Sequence, residues 1–398
     1  MKDLSIKIVS GNNKALMAIL SESADVMRAL PKGSFIFPGL CDVHVHFREP
    51  GFSYKETILS GSMAAAKGGY TDVCTMPNLN PVPDSVSSLK VQLDIIEKDA
   101  VIGVHPYGAL TIGEKGEALS DINGMADKIV ALSDDGRGLQ SDSMMKAAMS
   151  LAKEKGLLIA AHCEDNSLLK GGYIHDGEYA AKHGHLGICS KSEYAQIERD
   201  LNLVLKTGCK YHVCHISCAE SVDLIRQAKK SGLDVTCETA PHYLVLNDSM
   251  LKEDGRFKMN PPIRSESDRA ALIEGIIDGT IDMIATDHAP HSAEEKSKGL
   301  RGSAFGITGL ETAFSVLHTH LVRPGIISIE KLVDLMCYNP RKRFNLPLSG
   351  FSAWNLEKEI TIKGESFISG GKHTPFEGMK VFGENLLTIY NGKTVYKA

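Results

Sequence analysis

Two histidines at the end of an apolar run form the first group of residues that could carry out chemistry. In "DVHVHFREPG", residues 42–51, one residue separates His44 from His46, and Arg48 follows two positions later. If the run is a β-strand, side chains two positions apart point to the same side, so both imidazoles would face one space. Arg48 would face it too if the strand geometry persists, and its planar guanidinium suits a carboxylate. The pattern indicates two metal ligands beside an anion-binding group.

Four further apolar runs end in side chains of the same kind. These are Asp134-Asp135-Gly136 after the fourth run, His162 after the fifth, His215 after the sixth and Asp287 after the eighth. Four histidines and two carboxylates would suit one or two divalent ions, most simply zinc. A single histidine at a strand end is often only hydrogen-bonded, and an aspartate there commonly caps the next helix. Because five of eight runs end this way, we expect a metal centre, although either Asp134 or Asp135 could point inward.

Eight short apolar runs, each followed by a helical pattern, supply the elements that would position these residues. The runs are continuously apolar rather than alternating, which predicts strands buried on both faces, as in parallel sheets. Eight such units predict an α/β fold, a (β/α)8 TIM barrel over residues 34–345. No GxGxxG follows the first run, which disfavours an open nucleotide-binding sheet. The carboxyl ends of barrel strands meet at one mouth, where the candidate residues would converge.

The two ends of the chain differ from this pattern. Residues 1–33 and 346–398 carry short β-like pieces, and we expect them to form a small β subdomain together. The stretch "LLTIYNGKTVYK" contains an Asn-Gly pair, which is typical of a tight hairpin.

Composition limits the classes of partner and location. With 43% hydrophobic and 23% charged residues, the chain has the composition of a soluble globular protein, and its net charge of -5 predicts no nucleic-acid or membrane partner. The start, "MKDLSIKIVSGNNK", is too polar for a secretory signal, and no run is long enough to span a membrane. Nine cysteines, mostly within apolar runs, favour a reducing cytoplasm over a disulfide framework. Those in "HVCHISC" would not readily share one ion with the neighbouring histidines, because alternate residues of a strand point to opposite sides.

The sequence resembles the bacterial class I dihydroorotases of the amidohydrolase superfamily, from about residue 34 to 345 and more weakly beyond. The resemblance rests on "DVHVHFREPG", "KGGYTDVCTMPN", "SDDG", "AHCEDN", "YHVCHIS", "KMNPPIR", "ATDHAPH" and "AFGITGLET", in this order. It implies a zinc-dependent, reversible cyclisation of N-carbamoyl-L-aspartate to L-dihydroorotate and water in de novo pyrimidine (UMP) biosynthesis. Metal-bound hydroxide would be the nucleophile and Asp287 the general acid and base.

The resemblance also implies a role for each site residue. The implied metal ligands are His44, His46, Asp135, His162, His215 and Asp287. The resemblance favours two Zn²⁺ ions over one. His44 and His46 would hold the first ion, His162 and His215 would hold the second, and Asp135 would bridge them. The implied substrate-binding residues are His46, Arg48, Asn78, Asn260, His291, Phe305 and Gly306. Most other cyclic amidohydrolases place a carboxylated lysine where Asp135 falls, so the aspartate favours the dihydroorotase subgroup.

Simpler roles remain for several of these residues. Arg48 could form a surface ion pair, Asn78 could shape a turn, and Asn260 could be an extended residue before Pro261. His291 could be a solvated loop histidine. His242, at the end of the seventh run, is expected to be structural or to support a site residue.

Two alternative functions come with the resemblance. The first is another cyclic amidohydrolase, an allantoinase or a hydantoinase, and the second is an inactive dihydroorotase-like scaffold for aspartate transcarbamoylase. Arg48, Asn78 and the bridging aspartate disfavour the first, and the complete set of six ligands disfavours the second. A homodimer and an association with aspartate transcarbamoylase are further expectations of the family. The sequence departs from the family in its short N-terminal segment and in Cys218, where threonine is common.

Overall fold

Eight parallel strands form the centre of the computed structural model, which describes residues 6–9 and 14–398. Labelled in chain order, they are β1 (Leu40–Val45), β2 (Tyr70–Thr75), β3 (Gly103–Pro106 continued by Gly108–Ala109), β4 (Leu132–Ser133), β5 (Leu158–Ala161), β6 (Lys210–Val213), β7 (Val235–Thr239) and β8 (Met283–Ile284). Each strand pairs with the next along the chain. The two pieces of β3 pair with β2 on one side and β4 on the other.

The ring of strands closes between its first and last members. Val45 and His288 form a parallel bridge, and the His46 N–H donates to the His288 carbonyl at 2.8 Å. The (β/α)8 barrel predicted from the sequence is therefore confirmed, and the first and eighth strand ends are neighbours.

Helices cover the outside of the barrel. In the described part of the chain, six helices have ten residues or more: Ile58–Lys67, Val86–Asp99, Asp142–Lys155, Lys191–Thr207, Ala219–Lys230 and Glu266–Asp278. Shorter helical segments are Ile122–Met125, Glu178–His183, Pro241–Val245, Ala293–Lys296, Gly299–Gly302, Ala313–Leu317, His318–Val322, Ile329–Val333, Asp334–Tyr338 and Asn339–Phe344. Single 3-10 turns are Ile112–Glu114, Asn166–Leu168, Asp248–Met250, Gly255–Phe257 and Gly364–Ser366. Hydroxyl side chains start several of these helices; Ser85 Oγ, for example, accepts from the Ser88 N–H.

Small apolar side chains and thiols fill the barrel interior. The cluster beneath the mouth includes Cys41, Val43, Cys74, Tyr107 and Cys214, all buried. None of the nine cysteines forms a disulfide, and all except Cys189 are buried. None of the described helices is long and apolar enough to cross a membrane.

A second sheet is built from both ends of the chain. Its strands, in spatial order, are Lys7–Ile8, Phe35–Pro38, Gly350–Thr361, Lys380–Tyr390 and Lys393–Lys397. Asn391 and Gly392 connect the last two with φ angles of 45° and 73°, so the predicted Asn-Gly hairpin is confirmed. A two-stranded pair, Ile174–His175 with Gly187–Ile188, lies in the long excursion after β5.

The N-terminal segment differs from the β-like pieces predicted there. Among the described residues before position 34, the only strand is Lys7–Ile8, and helices occupy Lys14–Glu22 and Ala24–Arg28. Leu16 and Leu20, one helical turn apart, are buried in one cluster with residues of the terminal sheet, which stabilises the helix by tertiary contact. Residues 1–5 and 10–13 lie outside the described residues, and the division of the chain at residues 34 and 345 stays a prediction.

Candidate metal centre

His44 and His46 meet two aspartates at the mouth of the barrel. The Nε2 atoms of His44 and His46 lie 3.5 and 3.1 Å from Oδ1 of Asp287. The same two atoms lie 3.3 and 3.5 Å from the carboxylate oxygens of Asp135. All four side chains are buried, so the cluster is largely withdrawn from solvent.

The two aspartates left open by the sequence have different positions. Asp135 faces the histidines, whereas Asp134 turns away and binds the chain after β3. Its Oδ1 accepts from the Leu110 and Thr111 N–H groups at 2.8 and 3.0 Å. Asp134 therefore holds a neighbouring turn, and Asp135 is the carboxylate available to an ion.

A second pair of imidazoles lies beside Asp135. His162 Nδ1 is 3.0 Å from His215 Nε2, and that nitrogen is 3.8 Å from Asp135 Oδ1. His44 joins this side as well, because its ring centroid is 4.8 Å from that of His215. Among the described residues, three groups of possible ligand atoms include His44: one with His46 and Asp287, one with Asp135 and His215, and one with Cys214 and Glu238.

The tautomers of the first-strand histidines leave lone pairs directed at carboxylates. His44 Nδ1 donates to Glu238 Oε1 at 2.9 Å, and His46 Nδ1 donates to Asn78 Oδ1 at 2.9 Å. In the neutral imidazole the Nε2 atoms are then acceptors, and they face the oxygens of Asp135 and Asp287. His44 Nε2 and Asp135 Oδ1 are buried without hydrogen-bond partners among the described residues. Acceptors facing acceptors need a cation between them, so these residues fit a divalent ion.

The electrostatics indicate the same need for positive charge. Burial alone would raise the pKa of Asp135, but the adjacent His44 and His215 hold that pKa well below its ordinary value. Burial would likewise raise the pKa of Asp287, yet His46 and His44 keep it lowered. For His44, burial lowers the pKa, and the Asp135 carboxylate outweighs this and raises it well above the ordinary value. The cluster is therefore a pair of carboxylates that attracts either protons or a metal ion.

Two glutamates support the cluster and were missed by sequence reasoning. Glu238 on β7 contacts two histidines. Its Oε1 accepts from His44 Nδ1, and its Oε2 lies 3.1 Å from His212 Nε2. Burial would raise the pKa of Glu238, but these two histidines lower it to about 2, so it is a carboxylate. Glu164 Oε1 accepts from Asn260 Nδ2 at 2.8 Å, and its Oε2 is 3.7 Å from His162 Nε2. The available signal for Glu238 was a single charge in the otherwise uncharged strand "VTCET".

A cavity of about 190 Å³ opens directly onto the cluster. Its lining residues are His46, Arg48, Asn78, Asp135, Gly136, His162, His215, Asn260, Asp287, Ala289, His291, Phe305 and Gly306. The structure thus brings together every predicted site residue, with His44 fully buried beneath the others. Asn78 also donates to Asp135 Oδ2 at 3.4 Å, so it contacts two predicted ligands.

Arg48 and His291 form the cationic side of this cavity. Arg48 Nε donates to the Pro290 carbonyl at 3.3 Å, and no carboxylate among the described residues pairs with its guanidinium. Lys55 Nζ donates to His291 Nδ1 at 3.2 Å, so His291 Nε2 carries the proton that it donates to the Phe305 carbonyl at 2.7 Å. Burial and the nearby Arg48 and Lys55 lower the pKa of His291 to about 3, which keeps it neutral. Arg48 therefore retains free donors for an anion.

His242 is close to the site but does not line the cavity. It is buried against Tyr243, with ring centroids 4.1 Å apart, and burial lowers its pKa to about 4. Its Nε2 has no hydrogen-bond partner among the described residues.

The barrel and the histidine–aspartate cluster at its mouth place this protein in the amidohydrolase class. Residues 33–221 match the protein family described as "Dihydro-orotase-like". A dihydroorotase from Fusobacterium nucleatum is 52% identical over 374 residues, covering 92% of this chain and 88% of that protein. A dihydroorotase from Geobacillus sp. is 46% identical over 403 residues, covering 98% and 94%. The chain belongs to the dihydroorotase family.

Solved structures of related enzymes share the architecture. An L-hydantoinase (dihydropyrimidinase) from Arthrobacter aurescens matches with a TM-score of 0.82 and 26% identity, covering 92% of this chain and 86% of that one. A dihydropyrimidinase from Brevibacillus agri matches with a TM-score of 0.77 and 22% identity, over 92% and 86% of the two chains. The second similarity concerns the fold alone.

Proposed function

We propose that this protein is a metal-dependent dihydroorotase, a hydrolase of a cyclic amide. It interconverts N-carbamoyl-L-aspartate with L-dihydroorotate and water, a ring closure of pyrimidine biosynthesis. The observation that carries this proposal is the cavity in which the unpaired guanidinium of Arg48 faces the Asp287 and His46 cluster. A cyclic amide that bears a carboxylate matches both halves of that cavity.

Two zinc ions are the proposed occupants of the cluster. His44, His46 and Asp287 would hold one, His162 and His215 the other, and Asp135 would bridge them; the grouping of His44 with His46 and Asp287 and the 3.0 Å contact between His162 and His215 support this assignment. When bound, such ions supply Lewis-acid chemistry, activating water and polarising the carbonyl that it attacks.

Asp287 is the proposed proton carrier. During ring opening it takes a proton from the attacking water as the C–O bond forms, and returns it to the ring nitrogen as the C–N bond breaks. During ring closure it removes a proton from the ureido nitrogen as the C–N bond forms, and returns it to the carboxyl oxygen that leaves as water when the C–O bond breaks. Its lowered pKa supplies the basic form needed for the first step, and its Oδ1 lies 3.1 Å from Nε2 of His46.

The remaining lining residues orient the substrate. Arg48 binds the carboxylate with two parallel N–H groups, a geometry that lysine does not offer. Asn260, held by Glu164 at 2.8 Å, and the backbone at Phe305 and Gly306 are the proposed contacts to the ring. Asn78 and His291 complete the binding set.

A hydantoinase is the second candidate, because the hydantoinase fold matches with a TM-score of 0.82. Turnover of L-dihydroorotate should be compared with turnover of 5,6-dihydrouracil, hydantoin and allantoin, which lack its carboxylate. We expect kcat/KM for L-dihydroorotate to exceed the others by at least about 100-fold, since a half-buried guanidinium without a carboxylate partner penalises substrates that lack the anion. Equal or better turnover of the uncharged rings would favour the hydantoinase, and no turnover of any of them with metal bound would favour the inactive scaffold.

The setting of the enzyme belongs to the same proposal. Nine unpaired cysteines support a cytoplasmic location, because thiols stay reduced there. A homodimer and an association with aspartate transcarbamoylase rest on the family resemblance, and size-exclusion chromatography with and without the transcarbamoylase would test both.

A further inference from the structure

Three consecutive carbonyl groups of the loop at residues 304–306, here called the 304–306 loop, point toward one short segment of the chain. The Ala304 and Gly306 carbonyls accept from Lys296 Nζ at 2.8 and 2.7 Å. The Phe305 carbonyl between them accepts from His291 at 2.7 Å. The Phe305 N–H has no hydrogen-bond partner in the described part of the chain, so it is available to a ligand.

Lys296 is unusual for a lysine because its ammonium group is inside the protein. The residue is 2% exposed, and its third contact is the Lys258 carbonyl at 3.0 Å. Three carbonyls match the three N–H donors of an ammonium group, and no carboxylate among the described residues pairs with it. Burial and the nearby Lys258 lower the pKa of Lys296 to about 7, which reflects the cost of withdrawing this charge from water.

The buried ammonium group of Lys296 contrasts with that of a neighbouring lysine. Lys298, two positions later, keeps its side chain half-exposed with its Nζ 3.4 Å from Glu294. Long lysine stems commonly reach solvent in this way. All three N–H donors of Lys296 instead bind backbone carbonyls. Two of these carbonyls belong to the 304–306 loop, which lines the cavity at Phe305 and Gly306.

A second lysine reinforces the same loop. Lys258 Nζ donates to the Arg301 carbonyl at 2.9 Å and lies 4.5 Å from the centre of the Phe305 ring. The Lys258 carbonyl also accepts from the Gly306 N–H at 3.1 Å. Two lysines on different segments thus hold this region. Lys296 binds carbonyls of the 304–306 loop, and Lys258 binds the chain just before the loop through its side chain and the Gly306 N–H through its carbonyl.

We propose that Lys296 is a positioning residue that holds the 304–306 loop in its substrate-binding conformation. The ammonium aligns the backbone on both sides of Phe305, and so fixes the Phe305 N–H at the wall of the cavity. The inference rests on the proposed function for its effect on substrate, but not for its effect on the loop.

Limited trypsin digestion of the full-length protein tests the loop directly, because Arg301 is a cleavage site within the same segment. In Lys296→Met we expect cleavage after Arg301 to be at least about tenfold faster than in wild type. The variant lacks the three charge-assisted hydrogen bonds that oppose local opening of the loop in the wild-type protein. Lys298→Met is the matched control, with the same substitution at an exposed lysine, and should be cleaved at Arg301 at the wild-type rate.

Kinetics with L-dihydroorotate provide the second readout. Lys296→Met should raise KM about tenfold or more while kcat changes less than about threefold, because a displaced loop loses binding common to substrate and transition state. Lys296→Arg, which keeps a charge and several donors, should recover much of the loss. Lys298→Met should leave both constants unchanged.

The outcomes separate this inference from the proposed function. Wild-type cleavage and KM in Lys296→Met would overturn the role of Lys296. Wild-type protein that does not open L-dihydroorotate would overturn the proposed function, and the digestion would still decide whether Lys296 holds the loop. If circular dichroism shows that Lys296→Met does not fold, Lys258→Met is tested instead. That variant removes the contact to the Arg301 carbonyl and should speed the same cleavage; no change there would also overturn the inference.

Discussion

Arg48, His215 and Asp287 adopt left-handed backbone conformations, with φ angles of 56°, 32° and 47°. Such a conformation costs about 1–2 kcal/mol for a residue with a Cβ atom, and residues of this kind concentrate at functional sites. All three lie just beyond a barrel strand, where the chain must turn sharply while its side chain stays in the mouth. The strain therefore coincides with the residues that we assign to metal binding, proton transfer and substrate binding.

Replacement of Asp287 by asparagine tests proton transfer at a single position. Asp287→Asn should keep the fold and much of the bound metal but lower kcat by about 10²–10⁴-fold, because the amide cannot accept the proton of the attacking water. Asp223→Asn, an exposed aspartate on the helix Ala219–Lys230, is the control and should keep wild-type turnover. Near-normal turnover in Asp287→Asn would remove Asp287 from this role.

Replacement of Arg48 tests recognition of the carboxylate. Arg48→Ala should raise KM for L-dihydroorotate about 10–100-fold, since the substrate loses charge-assisted hydrogen bonds to an otherwise unpaired guanidinium. Arg28→Ala removes an exposed arginine and should leave KM unaltered. An unchanged KM in Arg48→Ala would exclude Arg48 from the site.

The site residues differ in how far the sequence could predict them. The spacing of His44 and His46 placed both side chains in one space, because strand periodicity is a local property. Asp134 and Asp135 could not be separated by pattern, since a two-residue strand end leaves the direction of each side chain to tertiary contacts. Glu238 was missed because its partners, His44 and His212, come from two other strands.

Strands rather than single residues fix the geometry of the cluster. β1 carries His44, β7 carries Glu238, and β6 carries His212, so three strands lock one imidazole tautomer. A carboxylate that binds the far nitrogen of a metal-ligating histidine orients the ring and raises its basicity.

Weakening that connection between strands should weaken metal binding without removing a ligand. Glu238→Gln should lower metal affinity about 10–100-fold, because the amide cannot accept a hydrogen bond from both histidines at once. Metal content after dialysis against a competing chelator measures this effect. The control is Glu253→Gln, which alters another glutamate–histidine pair, away from the cluster. Glu253 is exposed, and its Oε1 lies 2.6 Å from His185 Nε2. Equal metal retention in both variants would contradict the supporting role of Glu238.

Elements with a strong local signal matched the structure, and those held by tertiary contacts did not. The helices Asp142–Lys155, Lys191–Thr207 and Glu266–Asp278 each end at a glycine in the left-handed conformation, which is a local signal for a helix end. The nine-residue helix Lys14–Glu22 escaped prediction because so short a helix is marginal alone and depends on burial of Leu16 and Leu20.

The site exists only in the closed barrel. His46 and Asp287 are 3.1 Å apart in space but lie at opposite ends of the barrel sequence, and the bridge between Val45 and His288 joins them. Metal binding and the integrity of the whole fold are therefore linked, since an ion that binds only the folded chain stabilises it. Pattern and strand order together were sufficient to predict this convergence, because a parallel barrel brings all its carboxyl ends to one face.

Whether the bound metal carries out the reaction is decided by measuring ring opening of L-dihydroorotate on one preparation with zinc bound, after chelation and after zinc is restored. We predict turnover with zinc, loss of turnover in proportion to the metal removed, and recovery when zinc is added back. Turnover that persists after the metal has been removed would contradict the requirement for metal. No turnover with the cluster fully loaded with zinc would contradict the dihydroorotase function.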